Sequence, residues 1–547
     1  MTYPDPRHLD TLSGGRSRRD FLRLALAAPL LVACGTSEVD REAAKRRELL
    51  GPLPTLRSPS QPRQTRRGTL RLGATTATLS AVLGPLISAQ LCSVDPRTGD
   101  VYGDLAERVE LAGDLDVVFT LKENARFHPG ADGLASALTS EDVRRDFAAR
   151  AAVREFLFTE VVGAVEAPSV RTVVLRLKAP FGTLFESLAD PAQAAIRGGS
   201  RYAALDVPLG AGPFIPGGVA SETILLGANQ LYHRAPLPFL EGVTIEVRPD
   251  QATLEALARS GTVDVQRFTG TTAGPQGLPM RRATRPSRGL IAMALSSASV
   301  RGARSSQPAL FQDDRVRRAV ALSMDRDALV RGGSELASGP VGPAFGPDAL
   351  DANELRGHAL FRRNVQAARG LLEAAGKADL AFTMTAPDTA EARAILPDLQ
   401  RQLAEAGLRM RPALVSNREW DAALRSGDFE AALFESPDLE TPDAGLRLHS
   451  SGGPTGTFSP WGYSNPVYDA AVRHALSALA PAQRAERSRA AQRVLLDSVP
   501  ALLPLTAPIE DAWVATGLQG FEWDAHGFND GWLAATWRFA EPARQRS

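Results

Sequence analysis

Seven histidines and two cysteines are the residues of this chain best suited to metal or nucleophilic chemistry. His8, His128, His233, His358, His449, His474 and His526 are scattered, with no HExxH and no pair at ligand spacing. No GxSxG turn presents a serine nucleophile. No GxxxxGK[ST] loop is present to cradle a phosphate. The glycine-rich stretch 210–218, "GAGPFIPGG", lacks dinucleotide-loop spacing, and Pro213 and Pro216 interrupt any helix start; it reads as a turn. Asp313 and Asp314 fall at a helix start, where the macrodipole accounts for them. The expectation is a chain that is not an enzyme, with no catalytic residues, no metal and no cofactor.

One thiol does have a chemical context. Cys34 closes "SRRDFLRLALAAPLLVAC", in which residues 21–33 are apolar apart from Arg23. That run is shorter than the roughly 20 residues a membrane-spanning helix needs. Basic residues Arg16, Arg18 and Arg19, an apolar run and then small residues follow a signal-peptide layout. Ser17-Arg18-Arg19-Asp20-Phe21-Leu22 resembles a twin-arginine export signal. Leu31-Val32-Ala33-Cys34 resembles the bacterial lipobox, in which the thiol is diacylated and the peptide cut before it. Two or three acyl chains hold a protein on a membrane where one is marginal. Residues 1–33 are read as signal peptide and 34–68 as a lipidated tether, with few large apolar residues and several Pro, Ser and Arg. As a coil of about 33 residues the tether averages roughly 30 Å end to end.

The chain is 547 residues, long enough for two or three domains. Lys plus Arg and Asp plus Glu are 62 each, so no nucleic-acid partner is expected. With Cys34 acylated, Cys92 has no partner for an intramolecular disulfide; its apolar setting reads as a buried structural thiol. The stretch "TATLSAVLGPLISAQLC" is rejected as a membrane span because Gly84-Pro85, Ser80, Ser88 and Gln90 break it.

The folded body is expected from Thr69, where "TLRLG" alternates apolar and polar. Further strands are read in "LDVVFTLK", "RTVVLRLK", "ETILLG", "GVTIEVR", "AFTMTAP", "LRMRPALV" and "FEAALFES". Helices are read in "DDRVRRAVALSMDRDALV", with Val316, Val320, Met324 and Ala328 on one face, and in "AQRAERSRAAQRVLLDSV". A third, "NVQAARGLLEAAG", takes Asn364 as N-cap and Gly376 as its C-terminal stop. Strands alternating with helices make the fold α/β.

Several phrases then fall in a recognisable order. "DPRTGDVYGDLAE", "FTLKENARFHPG", "LTSEDV", "GAGPF", "LEALARSGTVDV", "FQDDRVRRAVALSMDRDALV", "NVQAARGLLEAAG", "GYSNPVYDAAV" and "VLLDSVPALLPL" resemble successive motifs of the peptide-class (dipeptide, oligopeptide and nickel) solute-binding lipoproteins of ABC importers. The resemblance runs from residue 69 to about 510. It implies a two-lobed α/β periplasmic-binding-protein-like fold with an extra subdomain and a cleft between lobes. By that layout, 69–91, 207–288 and 509–547 form lobe one, 92–206 the extra subdomain, and 289–508 lobe two. The implied partners are a peptide or other small solute, an ABC permease complex and the membrane through the lipid anchor, with the protein a monomer on the extracytoplasmic side.

The resemblance also suggests ligand-binding residues. Asp438, after the strand "FEAALFES", falls where peptide-binding members place the Asp that pairs with a ligand ammonium; Thr441-Pro442 replaces the usual Asp-Pro, and the usual Trp before that Asp is missing. Trp461 and Tyr463 in "SPWGYSNP" are candidate aromatic walls, and Ser296 stands where members often place Asn. The segment 73–91 is shorter than usual and "GADGLASA" is an insertion, so ligand identity does not carry over; peptides are the default, with nickel, sugars, opines and other amines also found in the family. Two other readings stay open: a tethered binder or sensor not coupled to import, and an exported hydrolase.

Overall fold

The alternating stretch that opens the body is strand β1, Thr69–Thr75, with Leu70 and Leu72 buried and Thr69 and Arg71 exposed. The computed structural model describes residues 56, 65–76, 78–95, 100–112, 115–202, 205–269, 274–297, 310–330, 335–436, 439, 441–452, 459–523 and 532–540. The export signal and Cys34 lie outside them. Helix α1, Leu79–Ile87, follows β1 and carries Pro85 inside it. Among the described residues no helix is long and apolar enough to cross a membrane.

A four-stranded antiparallel sheet comes next: Ala106–Ala112 (β2), Asp116–Leu121 (β3), Val162–Ser169 (β4) and Thr172–Leu177 (β5), in the order β2-β3-β5-β4. Ser140–Ala152 (α2) starts in a capping box formed by Thr139 and Asp142. Leu184–Ala189 (α3) is buried along its whole length. Val117, Phe119, Val143, Phe147 and Phe185 build one core here. Cys92 belongs to it; it is fully buried, and burial pushes its thiol far above the ordinary range. Leu56 belongs to it too, at 5% exposure. That departs from the expectation of a tether outside any core: at this residue the segment before Thr69 gives a side chain to the body.

The main sheet gathers the rest. Its strands in chain order are β1, Phe214–Ala220 (β6), Thr223–Ala228 (β7), Gly242–Arg248 (β8), Val265–Thr269 (β9), Met280–Pro286 (β10), Leu290–Leu295 (β11), Glu335–Ala337 (β12), Ala381–Pro387 (β13), Arg409–Val415 (β14), Ala431–Ser436 (β15) and Leu502–Ala515 (β16). The spatial order is β6-β7-β8-β1-β9-β16-β11-β15-β13-β14, with β10 and β12 also paired to β16. The stretch expected as a turn at 210–218 is strand from Phe214 onward. A bulge between Pro216 and Gly218 absorbs the proline, which has no amide to give the ladder. Gly210 and Gly212 are required before it, since a Cβ at either would run into the backbone of Ile87 and Ser88.

Helices cover this sheet: Gln251–Arg259 (α4), Asp314–Ser323 (α5), Arg326–Leu329 (α6), Val365–Ala374 (α7), Ala390–Glu405 (α8), Asn417–Ser426 (α9), Pro442–Leu448 (α10), Pro466–Leu476 (α11) and Pro481–Asp497 (α12). The helix expected to run through Met324 to Ala328 breaks there: the Asp325 carboxylate accepts from the Ala328 amide and starts α6 afresh. Asn364 caps α7, and Gly376 follows it with φ +67°, as the sequence suggests. Strand β11 shows why "LIAMAL" is apolar throughout. Leu290, Ala292 and Ala294 enter the core beneath α10–α12, while Ile291, Met293 and Leu295 enter the core beneath α5, α7 and α8.

Candidate functional site

The chain passes between the β6–β10 half and the β11–β15 half at two places that lie side by side. One is Ser287–Gly289, between β10 and β11; the other is the middle of β16, around Thr506–Pro508. The Ser287 amide donates to the Pro508 carbonyl at 2.7 Å, tying the two crossings together.

Parallel strands point at this crossing from both sides. In lobe one, β1 runs parallel to β8 and β9. The carboxyl end of β9, Thr269, pairs with Glu510 just beyond the crossing. In lobe two, β13 runs parallel to β14 and β15, and the carboxyl end of β15, Ser436, pairs with Leu290 just after the Ser287–Gly289 crossing. Open α/β sheets bind ligands outside the carboxyl ends of their strands. Here two sets of such ends face one seam, and the helices that follow them open on that seam: α1 and α4 in lobe one, α8, α9 and α10 in lobe two.

The side chains at these ends carry charge. Glu435, the penultimate residue of β15, is half-buried and accepts from the Thr389 hydroxyl at 3.1 and 3.3 Å. Thr389 is the N-cap of α8 and accepts in turn from the Ala392 amide. Burial pushes the Glu435 carboxyl up to about 7; the Thr389 hydrogen bond works against this and nearby Glu391 adds to it. In lobe one, Glu510 pairs with Arg285 at 2.7 Å and lies 3.7 Å from Arg267. Both guanidinium groups stack over the Trp523 ring, at 4.3 Å for Arg285 and 5.3 Å for Arg267. Beside Arg267 a small apolar depression, open to solvent, is walled by Leu72, Ala81, Val82, Val265, Phe521 and Trp537.

Comparison with known proteins identifies this architecture. The sequence pattern of the bacterial extracellular solute-binding proteins, family 5, matches residues 100–459. The chain belongs to this family. Family 5 proteins are extracytoplasmic and deliver peptides or other small solutes to ABC importers. The glutathione-binding protein GsiB of Escherichia coli (strain K12) is 24% identical over 425 residues, covering 72% of this chain and 78% of that one. Among solved structures, HbpA2 from Haemophilus parasuis superposes with a TM-score of 0.71 at 18% identity, covering 87% of this chain and all of that one. The oligopeptide-binding protein AppA from Bacillus subtilis, solved with a nonapeptide, gives 0.65 at 20% identity, covering 88% of this chain and all of that one. The fold is that of the periplasmic binding proteins.

Within this family 5 fold the residues singled out from sequence fall in different places. Asp438 lies outside the described residues; its neighbour Leu439 is buried beside the crossing and donates its amide to the Arg288 carbonyl at 3.2 Å. Trp461 is 2% exposed and meets Phe434 edge-on at 5.7 Å, so its ring packs on β15 one residue before Glu435. The Trp461 carbonyl accepts from the Ser297 amide at 2.9 Å and hydroxyl at 2.8 Å. Ser296, next to it, follows the end of β11 remote from the crossing, where its backbone bonds Glu430 and Phe311. Tyr463 shares a hydrogen bond with Ser498 and accepts one from Asn465. The structure thus joins Trp461 to the Ser296–Ser297 strand end and to Phe434, and leaves Tyr463 in a separate polar cluster.

Sequence reasoning passed over Glu435, Arg267, Arg285, Glu510 and Trp523. Glu435 did leave a signal: a carboxylate next to the carboxyl end of a largely apolar strand, "AALFES", where open α/β sheets commonly place ligands. The Arg–Glu–Trp group left none, because it joins residues 267, 285, 510 and 523 through strand pairing.

Proposed function

We propose that this protein is the lipid-anchored receptor of a peptide importer. It leaves the cell by a twin-arginine signal, is cut before Cys34, and is held by acyl chains on that thiol at the extracytoplasmic face of a cell membrane. As a monomer it captures a short peptide or peptide-like solute at the seam between its lobes and hands it, unaltered, to an ABC permease. It is not an enzyme: the ligand leaves with its bonds intact.

The observation that carries the capture reading is the convergence of the parallel strand ends of both lobes on one crossing, with Glu435 on one side and the Arg285–Glu510–Trp523 group on the other. A solute that touches both walls favours the closed form by its extra contacts. Asp438 is the proposed partner of a ligand ammonium, with the Trp461–Phe434 pair as apolar support; Ser296, at the far end of β11, and Tyr463, in its own polar cluster with Ser498 and Asn465, are left out of the proposed site. The relatives agree in class: one is named for glutathione, a tripeptide, and one was solved with a nonapeptide.

Thermal unfolding with added di- to nonapeptides and glutathione tests the capture. A bound solute at about 100 times its Kd stabilises the fold by about 2.7 kcal/mol and raises Tm by several degrees. No shift with any member, or cleavage of the shifting peptide on mass spectra, contradicts the reading. Labelled palmitate tests the anchor: the wild type incorporates it and Cys34→Ala does not. Label on the substituted chain overturns the Cys34 assignment.

A further inference from the structure

The extra subdomain touches lobe two through contacts that are charged, buried and closely fitted. Glu186 on α3 meets Arg484 on α12, 298 residues away. The same guanidinium holds both oxygens of Asp348 (Nε 3.1 Å, Nη2 3.3 Å) and the Gly182 carbonyl at 3.0 Å. The side chains of Glu186, Arg484 and Asp348 are 6%, 5% and 4% exposed. The two flanking carboxylates hold the Arg484 guanidinium charged against the cost of its burial.

Around this triad the two surfaces interlock. The Gly182 amide donates to the Leu476 carbonyl, and a Cβ at Gly182 would press on the carbonyl oxygens of Leu476 and Ala478. Leu479, from lobe two, inserts into the core of the extra subdomain. Thr183 hydrogen-bonds Asp443, and Arg447 stacks on the Phe156 ring at 3.8 Å. Asp443 and Arg447 belong to α10, the helix that starts directly after the loop holding Asp438.

We propose that Glu186, Gly182 and Arg484 form a clasp that holds the cleft shut independently of ligand. This rests on the reading of the seam as a closing cleft. The extra subdomain is fastened to lobe one by buried contacts, His233 Nε2 on Asp104 at 2.6 Å and His128 Nε2 on the Gly212 carbonyl at 2.9 Å. The two crossings are the covalent links between the halves among the described residues, so an opening in which the subdomain moves with lobe one parts Glu186 from Arg484. On parting, Arg484 keeps Asp348, which lies on its own lobe, while Glu186 and the Gly182 loop are released to water together with the Thr183–Asp443, Arg447–Phe156 and Leu479 contacts. Glu186 is therefore the charge that switches partner, and Arg484 positions it. The clasp biases the empty receptor toward the closed shape and lengthens the residence of a captured solute.

Hydrogen exchange of the ligand-free full chain tests this without knowing the solute. In the wild type, peptides spanning 181–186 and 476–486 are protected. Arg484→Met leaves two carboxylates facing each other in a dry site. Gly182→Ala wedges the loops apart without touching a charge, and Glu186→Gln keeps the shape while removing the switching charge. Losing one partner of a buried pair costs enough that exchange at both peptides should quicken by at least about 100-fold in Arg484→Met. Gly182→Ala should move the same two peptides, while β2–β5 keep their wild-type protection. Wild-type protection in both variants overturns the clasp. So does faster exchange throughout β2–β5, which would make the triad a prop of the subdomain's own fold. Because no solute is present, failure here leaves the peptide reading standing, and failure of the peptide reading leaves this measurement intact.

Discussion

The amide of Leu439 donates to the carbonyl of Arg288 at 3.2 Å, so the loop after β15 is fastened to one of the two crossings between the lobes. Leu439 is itself buried, which fixes the loop at that point. Asp438 itself lies outside the described residues, and its role toward a ligand is the proposal tested next.

Asp438→Ala should weaken a ligand that has a free amine by roughly 10- to 150-fold, the range of a charge-assisted contact worth about 1.5–3 kcal/mol. Calorimetry on wild type and variant reads this directly. Equal affinities for an amine-bearing ligand would return Asp438 to the surface.

Glu435 gives a pH dependence of known sign. Its folded-state value is raised from 4.5 to about 7 by burial, so its contribution to stability is fully present below 4.5 and is lost as pH rises through 7. Glu435→Gln removes that loss. The variant should gain on the wild type between pH 5 and 8 by about 1–3 kcal/mol, as read from urea midpoints. A constant difference across this range would show that the Glu435 carboxyl is solvated.

Two buried histidines act in the opposite direction. His128 donates through Nε2 to the Gly212 carbonyl at 2.9 Å and is lowered by burial to about 4; His449 is lowered by burial to about 3. Both are neutral in the fold while the unfolded chain takes up protons near 6.5. Stability from each is intact above 6.5 and falls as pH drops toward those values, by about 2 kcal/mol each at pH 5. His449→Leu should remove about one proton from the acid slope of the unfolding free energy. An unchanged slope between pH 6 and 5 contradicts the assignment.

Leu56 tests where the body begins. Its burial beside the extra subdomain's core predicts that Leu56→Ala lowers stability by about 2–3 kcal/mol. A chemical unfolding curve matching the wild type would place the segment outside the body after all.

Local features were legible in the sequence because they are decided within a few residues. The alternation in "AFTMTAP" marks Ala381–Pro387 to the residue, and Asn364 caps the helix it precedes; between Asp313 and Asp314 the sequence left the cap open, and Asp313 is the cap. Pro213 and Pro216 suggested a turn throughout 210–218, yet a bulge lets strand β6 form, since pairing with β7 outweighs local propensity. Asp325 broke a helix whose apolar spacing ran on without interruption. The clasp was illegible: Glu186 lies in a short helix that the sequence pattern did not mark, Arg484 in one that reads as ordinary, and only the packing of one body on another brings them together. Glu435 was readable in kind, as a charge at a strand end, while its raised carboxyl reflects burial that only the assembled seam provides.

Native mass spectrometry of the full chain purified from cells under mild conditions tests the central claim most directly. A solute-binding receptor with a seam lined by Glu435, Arg285 and Trp523 should carry a small solute at one-to-one stoichiometry, released intact on activation and identified by its fragments as a peptide or peptide-like amine. Protein that is uniformly empty, and stays empty after incubation with a peptide pool from the same cells, would contradict it.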